Sequence, residues 1–145
     1  MIKNIMNAYI KEIVYYLPQV EVTNEAIVRD FPEWSVEKIA SKVGVEKRHV
    51  AAEDETASDM AIKAAECLFQ KRDIKKEDID FVLFCTQSPD YKLPTSACII
   101  QYQLGLRKDI GALDFNLGCS GYVYGLSLAT GLISGGIASN VLLLT

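Results

Sequence analysis

Residues 112–122, ALDFNLGCSGY, change from a strand pattern to a helix pattern around Gly118-Cys119. A short apolar strand comes first, and an apolar helical pattern starts after the glycines that flank the cysteine. Cys119 is therefore expected in a sharp turn at a helix N-terminus. The unpaired amides and the positive dipole end found there favour thiolate over thiol, and thiolate is the nucleophilic form. The stretch predicts a covalent nucleophile, such as an acyl carrier.

A cysteine can also serve as a small buried side chain, because free cysteine is among the most buried residue types. The other cysteines fit that interpretation. Cys67 lies in an Ala-rich helical stretch, Cys85 ends an apolar run and Cys98 starts another helical pattern. No two cysteines have the spacing of a zinc knuckle or a redox CxxC. We therefore expect these three to be packing residues, and we expect no metal site.

Apolar runs alternate with helical patterns along the rest of the chain. The predicted strands are residues 8–16, 79–86, 111–116 and 141–144. Short polar caps mark the predicted helix starts at Thr23, at Ser35, at Thr56 or Ser58, and at Thr95 or Ser96. Strands that are apolar throughout and separated by helices indicate an α/β fold, with a mixed, mostly parallel sheet covered by helices on both faces.

The helix after Cys119 contains Gly121, Gly125 and Gly131, each of which costs about 1 kcal/mol relative to alanine in a helix interior. Close approach of another part of the chain is the usual compensation. We therefore predict that this helix is central and tightly packed. Its core residues would be Tyr122, Val123, Leu126 and Ile133.

Composition excludes several classes of protein. The 145 residues have the length of one domain, half of them are apolar, and the formal net charge is −4. That charge and the lack of a basic stripe argue against a nucleic-acid partner. Residues 1–7 lack the apolar core of a signal peptide, and no apolar run approaches membrane-spanning length, so a cytoplasmic protein without a membrane partner is expected. Because a buried strand at residues 141–144 needs neighbours, we expect a fragment of a longer protein.

Six segments, taken in order, give the chain a family resemblance. They are Tyr16-Leu17-Pro18, Glu33-Trp34, residues 44–51 (GVEKRHVA), residues 54–58 (DETAS), residues 93–98 (LPTSAC) and residues 118–121 (GCSG). Through these segments nearly the whole chain resembles β-ketoacyl-acyl-carrier-protein synthase III, a thiolase-like condensing enzyme. The resemblance implies a thiolase-like fold in which residues 1–145 form the N-terminal half and the C-terminal half is absent.

The resemblance also implies an activity. Cys119 matches the cysteine that takes an acyl group from a coenzyme A thioester, after which a malonyl-carrier protein decarboxylates and its carbanion attacks the acyl-cysteine. Acyl-CoA and acyl-carrier protein are the implied partners, with no tightly bound cofactor. A homodimer formed through the strand at residues 111–116 is also implied. Decarboxylation in the family relies on a His and an Asn from a second half, so this chain alone is expected to be inactive in condensation.

Three further positions are implied to bind substrate. Trp34 matches a tryptophan that packs against the coenzyme A adenine. Lys42 stands where the family pattern has an arginine, two positions before a glycine. Leu93 matches a residue that reaches across the dimer interface to line the partner's acyl pocket. His49 falls in the Arg-His-Val-Ala segment, where a structural hydrogen-bonding role is expected.

Two alternatives stay open at this point. A related thiolase-fold synthase, such as a hydroxymethylglutaryl-coenzyme A synthase or a plant-type polyketide synthase, would share the nucleophile, although residues 118–122 and the Glu-Thr-Ala-Ser segment fit synthase III better. A non-catalytic folding and dimerisation module is the other alternative, and it would apply if 145 residues is the natural length.

Overall fold

The computed structural model describes residues 8–71 and 73–145. The described chain divides into two compact units, one of them Leu17–Glu55 and the other made of the described residues before and after it. Chain length predicted a single domain. The division arises because two antiparallel strands and two helices of residues 17–55 pack among themselves.

The smaller unit contains strand β1 (Val20–Thr23), helices α1 (Asn24–Asp30) and α2 (Val36–Val43), and strand β2 (Lys47–Val50). The strands pair antiparallel. Helix α1 starts where Thr23 Oγ1 accepts from the Ala26 amide, and α2 starts where Ser35 Oγ accepts from the Lys38 amide. Helix α2 ends at Gly44, whose φ of 69° suits glycine. These helix starts and this end confirm the sequence predictions.

The larger unit begins its regular structure with helix α3 (Ala57–Phe69), capped by Thr56 as predicted. A 3₁₀ turn (Lys76–Asp78) leads to strand β3 (Phe81–Cys85), helix α4 (Ser96–Gln103), strand β4 (Gly111–Phe115), helix α5 (Gly121–Ser134) and strand β5 (Val141–Leu144). The strands form a parallel sheet of order β4-β3-β5. This alternation of helices and parallel strands confirms the predicted α/β class.

Successive side chains of a strand point to opposite faces of the sheet, and helices cover both faces of this sheet. One face presents Val82, Phe84, Leu142 and Leu144 to a core shared with α3 and α4. On the opposite face, Leu143 and Phe115 lie against α5 at Gly125. A Cβ added at Gly125 would come 2.6 Å from Leu143 Cδ1, so this close approach explains that glycine.

Strand β4 carries a carboxylate on the face that α4 covers. Asp114 accepts hydrogen bonds from the amides of Ser96 and Ala97 at 2.7 and 2.6 Å. Thr95 occupies the N-cap position of α4, but its side chain makes no capping bond. The cap of α4 therefore comes from a neighbouring strand rather than from the predicted polar residue.

Two strand predictions were incomplete. Residues 8–16 are not a strand, because no described strand runs beside them to share backbone hydrogen bonds, and most of their side chains are exposed. Strands β1 and β2 were not predicted. Each has only four residues and carries charged side chains, as in the VEVT of β1, so neither forms an apolar run.

The prediction for α5 was only partly right. Gly121 and Gly125 are buried and approached closely by side chains of the sheet, whereas nothing lies within 4 Å of a Cβ added at Gly131. Tyr122 and Val123 are exposed rather than in the core. The reason is that among the described residues α5 packs on the sheet by its glycine side only.

Asp80 links the start of β3 to the segments that precede β4 and β5. Its carboxylate accepts from the amides of Ser139 and Asn140 at 2.8 and 3.1 Å and from Arg107 at 2.8 Å. The Ser139 amide is the largest influence that holds the pKa of Asp80 below its ordinary value, and Asn140 and Arg107 add to it while burial opposes them. The carboxylate is therefore expected to stabilise the fold mainly in its ionised form.

We expect Asp80→Asn to lower the free energy of unfolding by about 1–2 kcal/mol at pH 7, measured by urea denaturation. Because the folded pKa is depressed, the contribution is fully present above the ordinary aspartate pKa of about 3.9 and is lost as pH falls through the lower folded value. The two proteins should therefore converge in strong acid. Asp109→Asn is the control, because its side chain also binds Arg107 but is 74% exposed. A difference that persists unchanged below pH 3 would contradict the prediction, as that is about a unit below the ordinary value.

In residues 8–71 and 73–145, none of the helices combines the length and apolar character that crossing a membrane requires.

Candidate active site

A cavity of about 410 Å³ lies at the carboxyl edge of the parallel sheet. The residues that follow β3, β4 and β5 meet there, which is where open α/β sheets bind ligands. The lining residues are Cys85, Thr86, Gln87, Leu117, Gly118, Cys119, Tyr122 and Thr145. The predicted nucleophile is therefore exposed in a cavity rather than buried in the core.

Cys119 sits in the turn between β4 and α5. The Gly121 amide donates to the Gly118 carbonyl at 2.8 Å, which closes the turn around the cysteine. Ser120 occupies the N-cap position of α5 and makes no side-chain capping bond. The amides of the first turn are therefore not taken by the side chain that most often caps a helix, and they can favour a negatively charged sulfur or oxygen nearby.

Two side chains from the end of β3 pack against this turn. Gln87 lies so close to Gly118 that a Cβ there would come 3.1 Å from its Oε1. Cys85 Sγ donates to the Leu117 carbonyl at 3.4 Å, and a Cβ on Gly121 would collide with the same sulfur. The contact with Cys85 therefore accounts for the glycine at position 121, whereas Gln87 is in close contact with Gly118.

The other predicted binding residues are not among those that line the cavity. Trp34, 37% exposed, and Lys42 belong to the smaller unit, where Lys38 Nζ lies 4.6 Å from the centroid of the Trp34 ring. Leu93 is in the larger unit, 85% exposed in the loop before α4, and it does not line the cavity. The cavity therefore contains Cys119 but not Leu93.

The three remaining cysteines differ from one another. Cys85 is buried and Cys98 is half-buried, in line with packing roles. Cys67 is exposed, so the prediction that it packs in the interior was wrong. It lies in the last turn of α3 on the outer side of the Ala-rich stripe, whose inner side contributes Ala65 to the core.

His49 has the structural role that was expected. Its Nδ1 lies 2.6 Å from the Pro18 carbonyl, to which it donates a hydrogen bond, and its Nε2 is 3.9 Å from a Glu21 carboxylate oxygen. Lys47 also binds Glu21, at 2.8 Å, and lowers the pKa of that carboxyl. Within the described ranges, no group of three or more His, Cys, Asp and Glu side chains could hold a metal ion.

Sequence reasoning missed most of the cavity. Cys85 was taken only as a packing residue, and neither Gln87 nor Thr145 was assigned a place in the site. A usable signal existed, because carboxyl ends of parallel strands lie side by side, and these residues all follow or end predicted strands. The register Cys85↔Phe115 brings the end of β3 beside the end of β4.

Comparisons with known proteins agree with this geometry. A family model described as 3-oxoacyl-[acyl-carrier-protein (ACP)] synthase III matches residues 113–145. The chain is 37% identical over 144 residues to a β-ketoacyl-[acyl-carrier-protein] synthase III 2 from Halalkalibacterium halodurans, covering 97% of this chain and 42% of that protein. It is 40% identical over 141 residues to a β-ketoacyl-[acyl-carrier-protein] synthase III from Sulfurovum sp., covering 94% of this chain and 40% of that protein.

Solved structures match as well. One described as 3-oxoacyl-(acyl-carrier-protein) synthase III has a TM-score of 0.90 and 50% identity, covering 95% of this chain and 41% of the other. A β-ketoacyl-[acyl-carrier-protein] synthase III from Thermus thermophilus has a TM-score of 0.79 and 35% identity, covering 88% of this chain and 39% of the other. The chain thus spans about two fifths of the length of the relatives it matches.

A parallel sheet with a cysteine at the strand-to-helix turn, matched at such TM-scores, defines a thiolase-like condensing-enzyme fold. Within that class, the chain is similar over nearly its whole length to β-ketoacyl-acyl-carrier-protein synthases III, the family that the sequence motifs indicated.

The setting of Cys119 leads to a reactivity prediction. With limiting iodoacetamide at neutral pH, we expect Cys119 to be alkylated before the other cysteines, as measured by peptide mass mapping. Cys67 is the internal control, because it is also exposed but lies at the C-terminal end of a helix, where the dipole disfavours a negative charge. In urea, which unfolds the chain, Cys119 and Cys67 should be alkylated at similar rates. Faster alkylation of Cys67 in the folded protein would contradict the prediction.

Proposed function

We propose that the chain is the N-terminal half of a 3-oxoacyl-[acyl-carrier-protein] synthase III, an acyltransferase that starts fatty-acid synthesis. The observation that carries the proposal is the position of Cys119, exposed in the cavity at the start of α5. The names of its relatives support the reaction, and the proposal extends it from those longer proteins to this chain.

The proposed chemistry has two stages. First, the Cys119 thiolate attacks the carbonyl carbon of an acyl thioester, forms the acyl-cysteine bond and releases coenzyme A as a thiolate. Backbone amides beside Cys119 stabilise the negative oxygen of the intermediate. Second, a malonyl-carrier protein loses carbon dioxide, and its carbanion attacks the acyl-cysteine. That attack forms the new carbon-carbon bond, expels the Cys119 thiolate and yields a 3-oxoacyl-carrier protein.

Coenzyme A enters this scheme as part of a substrate and not as a bound cofactor. We assign Trp34 and Lys42 to binding it, with the tryptophan ring stacking on the adenine and the lysine near a phosphate. Lys38 covers one face of the Trp34 ring, so an adenine that stacks on that face has to displace the Lys38 side chain. A cytoplasmic location accompanies the proposal, because coenzyme A thioesters and carrier proteins are cytoplasmic substrates.

Two features support a homodimer. Strand β4 is at an edge of the described sheet, and an edge strand presents unpaired backbone groups to another chain. Leu113 on that strand is 45% exposed, and Leu93, which we assign to the partner's acyl pocket, is 85% exposed. Two copies joined edge to edge would cover such apolar side chains.

The direct test is acyl transfer to the protein. The chain is incubated with acetyl-CoA, or with an acetyl-carrier protein, and the acylated peptide is identified by mass spectrometry. The proposal expects the acyl group on Cys119. Acylation of Cys67 alone, or of no cysteine with either donor, would refute it.

A further inference from the structure

Cys85 is the buried thiol nearest in the fold to the turn that carries Cys119. It is the last residue of β3, it is 8% exposed, and it lines the same cavity. Its Sγ contacts both ends of the turn, because it donates to the Leu117 carbonyl at 3.4 Å and packs against Gly121. Cys119 lies midway between those two contacts.

These contacts join the end of β3 to the turn between β4 and α5. Only a glycine at position 121 leaves room for the Cys85 sulfur, because a Cβ would occupy the same space. The Leu117 carbonyl, in turn, is directed at the sulfur, while the Gly121 amide binds Gly118 at 2.8 Å. The Cys85 thiol therefore contacts the backbone on both sides of Cys119.

We propose that Cys85 is a positioning residue for Cys119, holding the nucleophile turn through its hydrogen bond to the Leu117 carbonyl. This inference rests on the proposed function and adds a residue to it. Without the S–H donor, the Leu117 carbonyl becomes a free negative dipole end two residues from Cys119. Such a dipole disfavours a nearby thiolate, and a loosened turn no longer aims the first amides of α5 at the sulfur.

The test measures the rate of Cys119 alkylation by iodoacetamide as a function of pH, in a Cys67→Ser background. We expect Cys85→Ala to lower the rate at pH 7 by about three- to tenfold and to move the pH profile to higher pH by about half to one unit. Cys85→Ser should restore the original profile, because a hydroxyl is a stronger donor of similar shape. Cys98→Ala, a half-buried thiol on α4, is the matched control and should change neither quantity.

Gly121→Ala tests the same contact from the other side. Its Cβ displaces the Cys85 sulfur, so we expect it to reproduce the slow alkylation of Cys85→Ala. The double variant Cys85→Ala/Gly121→Ala refills the space without supplying a hydrogen-bond donor, so the alkylation of Cys119 should stay slow. Thermal unfolding of each variant establishes that the measured protein is folded, and Gly121→Ala carries the test if Cys85→Ala does not fold.

Each result decides the question. A Cys85→Ala profile equal to that of the unaltered protein, or full recovery in the double variant, overturns the positioning role while leaving the proposed function intact. A loss in Cys85→Ser equal to that in Cys85→Ala also overturns it. If Cys119 in the unaltered chain reacts no faster than Cys67 does, the proposed function fails, and the inference fails with it.

Discussion

Replacing Cys119 by serine is expected to reduce acyl transfer from a thioester to the protein by about a thousandfold or more. A cysteine thiol is the least dependent of the common side-chain nucleophiles on an adjacent base, because its thiolate form is intrinsically very nucleophilic. A serine hydroxyl is far from ionising at neutral pH and needs an adjacent base to attack. The measurement is the initial rate of acylation with acetyl-CoA, followed by mass spectrometry of the intact protein.

The control for this experiment is Cys67→Ser. Cys67 is also exposed, but it lies in the last turn of α3, so it has the accessibility of Cys119 without the helix N-terminus. Its replacement should leave the acylation rate within about twofold, as expected for an exposed residue remote from function. Acylation that survives in Cys119→Ser and disappears in Cys67→Ser would assign the nucleophile to α3 and remove the basis of the proposed function.

The parts of the fold that could be predicted are those that depend on local sequence. Strands β3, β4 and β5 are apolar runs bounded by helices, and α2 has a serine cap at one end and Gly44 at the other. Residues 8–16 are also largely apolar, yet they are not a strand here. A strand is defined by its partner, and residues adjacent in sequence do not specify which partner is present.

The candidate site likewise has residues that local sequence predicts and residues that it does not. Cys119 could be predicted because strand, turn and helix follow one another within residues 112–122. Cys85 and Gln87 could not be placed beside it, because they arrive from β3 through the register of the sheet. Likewise, a carboxylate in the middle of β4 gave no indication that it caps α4, because the capped amides are 17 and 18 residues away in the chain.

That carboxylate provides the last prediction. Asp114→Ala should lower the free energy of unfolding by about 2–4 kcal/mol, because it removes two hydrogen bonds to a charged acceptor and the N-terminal cap of α4. The amides of Ser96 and Ala97 would lose this acceptor, and both residues are fully buried. Urea denaturation at pH 7 gives the value, and hydrogen exchange should show the first turn of α4 opening before the rest of the helix.

Thr95→Ala is the matched control, and it reverses the usual expectation for a helix cap. Thr95 occupies the N-cap position, where threonine to alanine typically costs about 1 kcal/mol. Here its Oγ1 is buried and finds no hydrogen-bond partner among the described residues, so removing it leaves no bond unmade. We expect a change within about 0.5 kcal/mol. If Thr95→Ala is as costly as Asp114→Ala, the cap of α4 is local, and the strand does not supply it.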